Sequence, residues 1–259
     1  MRRLLSLTLP LVCAMALTGC IVVADRGSTT VVHHSGPVVD PYAVALANPA
    51  RPEADRARDT LRRSADMLAF MQLGPGDAIA DVRPEEGFFT HLFASVVGPG
   101  GHVYAFVPNQ TAGRENAYAD TLASTYGNVS RVTGALETMA FDRPLDVVFM
   151  GEEYHDFVIP RFGVDVETMN AAVFRALKPG GLYVILDHQA AAGTGVSVAG
   201  TLHRIESAEL RRQVEAAGFI FDGETRAVAN PADDHSLIVF DESIRGRTDR
   251  FVYRFRKPE

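Results

Sequence analysis

The feature that most constrains this chain is an alternation. Five short apolar runs, Ala78 to Val82, His102 to Val107, Val129 to Val132, Leu145 to Met150 and Leu182 to Leu186, are set between stretches whose apolar residues recur at helical spacing. Runs this short and this apolar suit strands buried on both faces, and Leu145 to Met150, apolar but for Asp146, suits an inner parallel strand. Strands that alternate with helices imply a parallel sheet covered on both sides. Two more strand-like runs follow Gly218, at Phe219 to Val228 and Phe251 to Phe255. The expected fold is therefore α/β, a three-layer sandwich around a seven-stranded, mostly parallel sheet.

The helical stretches are read from their apolar faces. Ala57, Leu61, Ala65, Leu68 and Met71 predict one helix from Pro52, stopped by Gly74-Pro75-Gly76-Asp77. Phe88, Phe89, Leu92, Phe93, Val96 and Val97 share one face of the next, and further helices are expected at Ala117 to Tyr126, Met169 to Leu177 and Ala208 to Ala217.

The N-terminus reads differently. Arg2 and Arg3 precede an apolar run from Leu4 to Leu17, which ends in Leu17-Thr18-Gly19-Cys20. That is the layout of a signal peptide over residues 1–19. Its last four residues resemble the bacterial lipobox, which implies a diacylglyceryl group on Cys20 and a membrane anchor through that lipid. The apolar run falls short of the ~20 residues that a spanning helix needs. Residues 20–50, rich in Val, Ser, Thr, Gly and Pro, read as a flexible tether carrying His33-His34, and residues 51–259 as the domain. The expected location is the cell envelope with the domain facing the periplasm, and Ile21 after Cys20 favours the outer membrane over the inner. Cys13 leaves with the signal and Cys20 carries lipid, so the domain has no thiol, which excludes disulfides and cysteine chemistry. A formal charge of −7 without a basic stripe argues against nucleic acid as a partner.

From residue 50 onward the sequence resembles the class I S-adenosylmethionine-dependent methyltransferases, and most of all a bacterial group of predicted methyltransferases that are often exported. The phrases that carry the resemblance are "DAIADVRPEEGFFTHLFASVVGPGGHVYAF", "LDVVFMGEEYHDF", "ALKPGGLYVILDH", "TLHRIESAELRRQVEAAGF" and "NPADDHSLIVFD". It implies a Rossmann-like sheet with S-adenosylmethionine across the carboxyl ends of the first strands.

Set against the family's D-x-G-x-G-x-G turn, Asp81 keeps the acid and Gly87 the third glycine, while Arg83 and Glu85 replace the other two. Glycine serves there by permitting positive φ and close approach of backbone to ligand, so the replacements narrow or displace the pocket. Arg83 is expected to pair with the donor's carboxylate. The acid that usually takes the ribose is absent after the second strand, where Asn109 or Gln110 is the candidate. The adenine side falls on Ala135 in the run Thr133 to Leu136, again without its usual acid, with Glu137 close by.

Polar residues at the other strand ends form the candidate acceptor side. His155 is the candidate base, Asp156 or Asp187 its orienter, and Tyr154 a contact to the acceptor; His188, His203, Arg204, Asp234 and His235 are candidate substrate residues. Each has a plainer alternative: His155 and Asp156 cap a loop, Arg204 pairs with a nearby carboxylate, Asp81 caps the turn, Asn109 makes an Asx-turn. His155, His188, His203 and His235 match no H-x₃-H or H-E-x-x-H spacing, so no metal site is expected. The sequence thus implies methyl transfer from S-adenosylmethionine to an unidentified small molecule or envelope component. The alternative is a non-catalytic binding module on the same scaffold.

Overall fold

The computed structural model describes residues 19–25, 28–34 and 40–259. The signal peptide expected at residues 1–19 and the lipid expected on the Cys20 side chain lie outside the described residues and side chains. Within the expected tether, β1 (Gly19–Asp25) and β2 (Ser28–His34) pair antiparallel, Cys20 opposite His33.

A second compact unit runs from Pro41 to the C-terminus. Its sheet comprises β3 (Ala78–Val82), β4 (His102–Pro108), β5 (Val129–Gly134), β6 (Leu145–Gly151), β7 (Leu177–His188), β8 (Ile220–Thr225) and β9 (Arg250–Arg256), in the order β5-β4-β3-β6-β7-β9-β8. β3 to β7 are mutually parallel, and β9 runs antiparallel to both of its neighbours. This is the expected seven-stranded α/β sandwich. The order reverses between β3 and β6, where an open parallel sheet leaves a crevice at its carboxyl edge.

Side chains alternate across the sheet with the period of two that a pleated strand imposes. Ile79, Val103, Val147 and Val184 enter one core with α1 (Pro41–Ala47), α4 (Ser64–Met71), α5 (Phe88–Val97) and α6 (Ala112–Thr125); Ala80, Tyr104, Val148 and Ile185 enter the other with α7 (Tyr154–Phe157), α8 (Val166–Ala176) and α10 (Ser207–Ala216). Phe149 anchors the first core, its ring 4.8 Å from Phe89 and 5.4 Å from Phe93. No helix among the described residues is long and apolar enough to cross a membrane.

The N-terminal part departs from expectation in two places. α1 belongs to the compact unit although it precedes residue 51: Ala45 is fully buried, and the Tyr42 hydroxyl donates to the Leu73 carbonyl at 3.0 Å. The single helix expected from Pro52 to Met71 is broken into α2 (Glu53–Arg56), α3 (Asp59–Arg62) and α4, with Arg63 left-handed at φ 51°. The cause is Asp59, which accepts two bonds from the buried Arg51 guanidinium at 2.7 and 2.8 Å and a third from the Ser64 hydroxyl at 2.7 Å. These charged bonds outweigh the helical preference of one turn. Arg58 and Arg62 are thereby laid over the Phe88 ring, 5.0 and 4.6 Å from its centre.

Candidate functional site

The turn after β3 keeps the path of a glycine-rich turn with few glycines. Arg83, Glu85 and Gly87 have φ values of 55°, 50° and 88°, so all three positions matched to the family's glycines are left-handed. For a residue with a Cβ that conformation costs roughly 1–2 kcal/mol. At Gly87 the glycine is a packing requirement, because an added Cβ would lie 2.5 Å from the Leu122 side chain of α6.

Arg83 is held by three acids. Its guanidinium pairs with Glu115 of α6 at 3.1 Å, with Asp156 of α7 at 2.9 Å, and with Glu153. Burial outweighs the Arg83 charge at Glu153 and pushes its carboxyl well above the usual range. The expected pairing of Arg83 with a ligand carboxylate is thus corrected: the cation is neutralised within the protein. Glu115 Oε2 is buried without a hydrogen-bond partner. That is an acceptor facing no donor, suited to an ammonium group.

Asp81 is fully enclosed and accepts from the Thr90 hydroxyl at 2.6 Å, and burial lifts its carboxyl to about 7. Through that bond Asp81 Oδ2 secures α5 to β3. Glu85 is exposed. Beyond β4, Asn109 is exposed while its backbone N–H donates to Gly134 at 2.9 Å, and Ala135, half-buried, accepts from the Thr138 N–H. Val107 and Pro108 before them are buried, so a ribose would find the exposed Asn109 and Gln110 there.

The centre of the site lies where β6 and β7 end. His155 Nδ1 is 2.7 Å from Asp187 Oδ1, and the His155 backbone N–H donates to Asp187 Oδ2 at 2.9 Å. Asp187 is fully buried and His155 nearly so. Burial alone would lower the imidazole, but the charge and hydrogen bond of Asp187 outweigh it and hold His155 above its ordinary value. His155 Nε2 stands 3.3 Å from His203 Nδ1, and Asp156 Oδ1 stands 3.5 Å from the former and 3.1 Å from the latter. Asp156 Oδ1 nonetheless makes no hydrogen bond. Burial keeps His203 below its ordinary value despite the Asp156 charge.

His188 is 5.8 Å ring to ring from His155, bonds Thr248 Oγ1 at 2.8 Å through Nδ1, and is pushed down to about 4 by burial, hence neutral. It faces a cleft of about 370 Å³ bounded also by Arg62, Glu85, Glu152, Phe240, Arg245 and Arg250. Phe240 links this cleft to His203, their rings 4.9 Å apart. Glu152, left-handed at φ 65°, pairs with Arg250 at 2.8 Å; burial would raise its carboxyl, but Arg62 and Arg250 hold it well below the usual range. Arg250 Nε is buried without a partner, and Arg245 is exposed with no carboxylate partner among the described residues. The cleft carries more positive than negative groups, and reading by strand ends alone missed these arginines.

Four further expectations are corrected. Tyr154 points into the core below α8 and α10: its hydroxyl donates to Gln213 at 3.0 Å and accepts from Asn170 at 2.8 Å, away from any acceptor. Arg204 is fully buried, donating to the carbonyls of Leu237 and Gln189 at 3.0 Å each and pairing with Asp233 at 2.9 Å, so it fastens the 230–240 loop. Asp234 caps a turn by accepting from the Ser236 N–H and hydroxyl. His235 bonds Asp249 at 3.0 Å, outside the His155 cluster.

No protein-family profile matches the chain, and no functionally described protein matches its sequence. Solved structures do match its fold. A SAM-dependent methyltransferase from Aquifex aeolicus superposes with a TM-score of 0.54 at 17% identity over 85% of this chain and 99% of its own. The N-methyltransferase NodS of Bradyrhizobium japonicum matches with 0.51 at 14% identity, over 82% and 99% of the two chains. The YcgJ protein of Bacillus subtilis matches with 0.53 at 16% identity, over 78% and 99%. The fold is therefore that of SAM-dependent methyltransferases.

Proposed function

We propose that the protein is an S-adenosylmethionine-dependent methyltransferase of the cell envelope, anchored by lipid on Cys20, that acts on an anionic small molecule or envelope component. The observation that carries the reading is the buried Asp187–His155 pair at the carboxyl ends of β6 and β7, beside an arginine-bounded cleft in a methyltransferase fold. The anchor is supported by the charged start, apolar run and lipobox-like ending of residues 1–20.

The residues at the first turn fit the cationic end of the donor. Glu115 Oε2, buried and unpartnered, takes the amino group, and Asn109 takes a ribose hydroxyl. The bound donor supplies a methyl on a sulfonium, already activated for in-line displacement. What remains for the protein is positioning and proton removal. Arg245 and Arg250 hold the anionic group of the acceptor. The basic cluster of Asp187, His155 and the partly exposed His203 takes up the acceptor's proton.

A specific observation favours a second reading, a non-catalytic binding module: Arg83 is fully engaged by Glu115, Glu153 and Asp156 and offers nothing to the donor's carboxylate. Calorimetric titration of the protein with S-adenosylmethionine and with S-adenosylhomocysteine separates the two. Micromolar binding of both, weakened by Glu115→Gln, supports the methyltransferase; no heat at millimolar ligand leaves the module.

A further inference from the structure

We infer that His155, Asp156 and His203 form a site for one divalent cation of the zinc type. The proposal does not depend on donor binding.

The three side chains come from two elements, α7 and the end of α9 (Ala199–Leu202), and their ligating atoms are mutually close. His155 Nε2, His203 Nδ1 and Asp156 Oδ1 form a triangle with sides of 3.3, 3.5 and 3.1 Å. A tetrahedral cation with bonds of about 2.0–2.1 Å has ligand–ligand edges of about 3.3–3.4 Å, whereas an octahedral face with such bonds has edges of about 2.9–3.0 Å. The observed sides average near the tetrahedral edge. Three ligands then leave a fourth position for water or substrate, the arrangement of catalytic rather than structural zinc.

Two observations independent of the triangle point to a cation. Asp156 Oδ1 is buried and makes no hydrogen bond, although His203 Nδ1 lies within reach of it. A cation between them would satisfy an oxygen that the protein leaves bare. The second is Asp187, whose carboxylate holds the other nitrogen of His155 at 2.7 Å. A carboxylate behind a ligating imidazole fixes its tautomer, directs the Nε2 lone pair outward and raises its basicity, which is the usual support of a metal-bound histidine. Asp156 is braced in the same sense, because Arg83 holds Oδ2 at 2.9 Å and leaves Oδ1 free. The histidines escaped recognition by spacing because 48 residues separate the two.

The test is titration of chelator-stripped protein with Zn²⁺ and Co²⁺, using the full chain with His33→Gln and His34→Gln to silence the tether histidines. The expected result is one equivalent bound, an intense visible Co²⁺ spectrum of four-coordinate type, and a rise in melting temperature with Zn²⁺. His203→Gln should abolish the spectrum, and Asp187→Asn should weaken binding by about 10–100-fold. His235→Gln, outside the cluster, should leave binding unchanged. Circular dichroism of each variant confirms folding. Absence of a bound equivalent, a weak six-coordinate spectrum, or binding indifferent to His203→Gln in a folded variant would overturn the proposal. None of these outcomes bears on whether S-adenosylhomocysteine binds, so the two readings fail separately.

Discussion

Arg83→Met removes the one cation that Glu115, Glu153 and Asp156 share. The side chains involved are 16, 7, 5 and 11% exposed, so the cluster is shielded from water. Removing one partner of such a buried network leaves uncompensated charge and costs about 3–5 kcal/mol. The left-handed backbone at position 83 is retained by Met, so no relief of strain offsets this loss. For a chain of this size the melting temperature should fall by roughly 6–20 °C. Glu153→Gln, by contrast, should cost less, because burial already favours the uncharged form of that carboxyl. The pH dependence carries its own sign. Arg83 opposes the upward push of burial on Glu153, so without it the folded state holds the Glu153 proton more strongly, and the deficit grows as pH rises from 5 to 8. The chain has no tryptophan, so urea unfolding is followed by far-ultraviolet circular dichroism. A loss below about 1 kcal/mol, or the same loss at both pH values, would show that water solvates the cluster and that the first turn is open.

Three other outcomes follow from the same geometry. The His155 imidazole, followed by NMR, should titrate above its ordinary value, and Asp187→Asn should lower it, as burial is then opposed only by the charges of Asp156 and Glu152. Asp81, lifted to about 7 by burial, binds a proton in the folded state over a range where the unfolded chain does not. Wild-type stability should therefore decline between about pH 4 and 7, by at most about 1.4 kcal/mol per pH unit, and Asp81→Asn should flatten that decline in chemical denaturation. Arg204→Met should destabilise by about 3–5 kcal/mol, since it strands the buried Asp233. A variant of normal stability that bound acceptor weakly would instead restore Arg204 to the cleft.

What was legible in the sequence follows the range of the forces involved. β3 and β6 are read nearly to the residue because each inner parallel strand is apolar but for a single aspartate, and the turn after β3 is read position by position because its backbone shape is local. The pairing of His155 with Asp187 was also within reach, since strand carboxyl ends converge in this architecture. Tyr154 was misplaced because α7 is a single turn, too short for periodicity to show which of its residues face the core. For Arg204 the plainer alternative, pairing with a carboxylate, is the one the structure shows, but nothing near it in sequence announces Asp233, Leu237 or Gln189 as partners. The break at Arg63 likewise comes from the contact of Asp59 with Arg51 and Ser64, which helical spacing does not register. The cleft arginines are scattered over α3, the loop before β9 and β9 itself, and only the folded chain gathers them.

The most direct test of the central claim is a crystal structure of the protein with S-adenosylhomocysteine. The ligand should lie across the carboxyl ends of β3 and β4, its amino group within hydrogen-bond distance of Glu115 Oε2 and its ribose at Asn109. A ligand seated among the cleft arginines instead, with the Arg83 cluster intact and the first turn bare, would contradict the assignment.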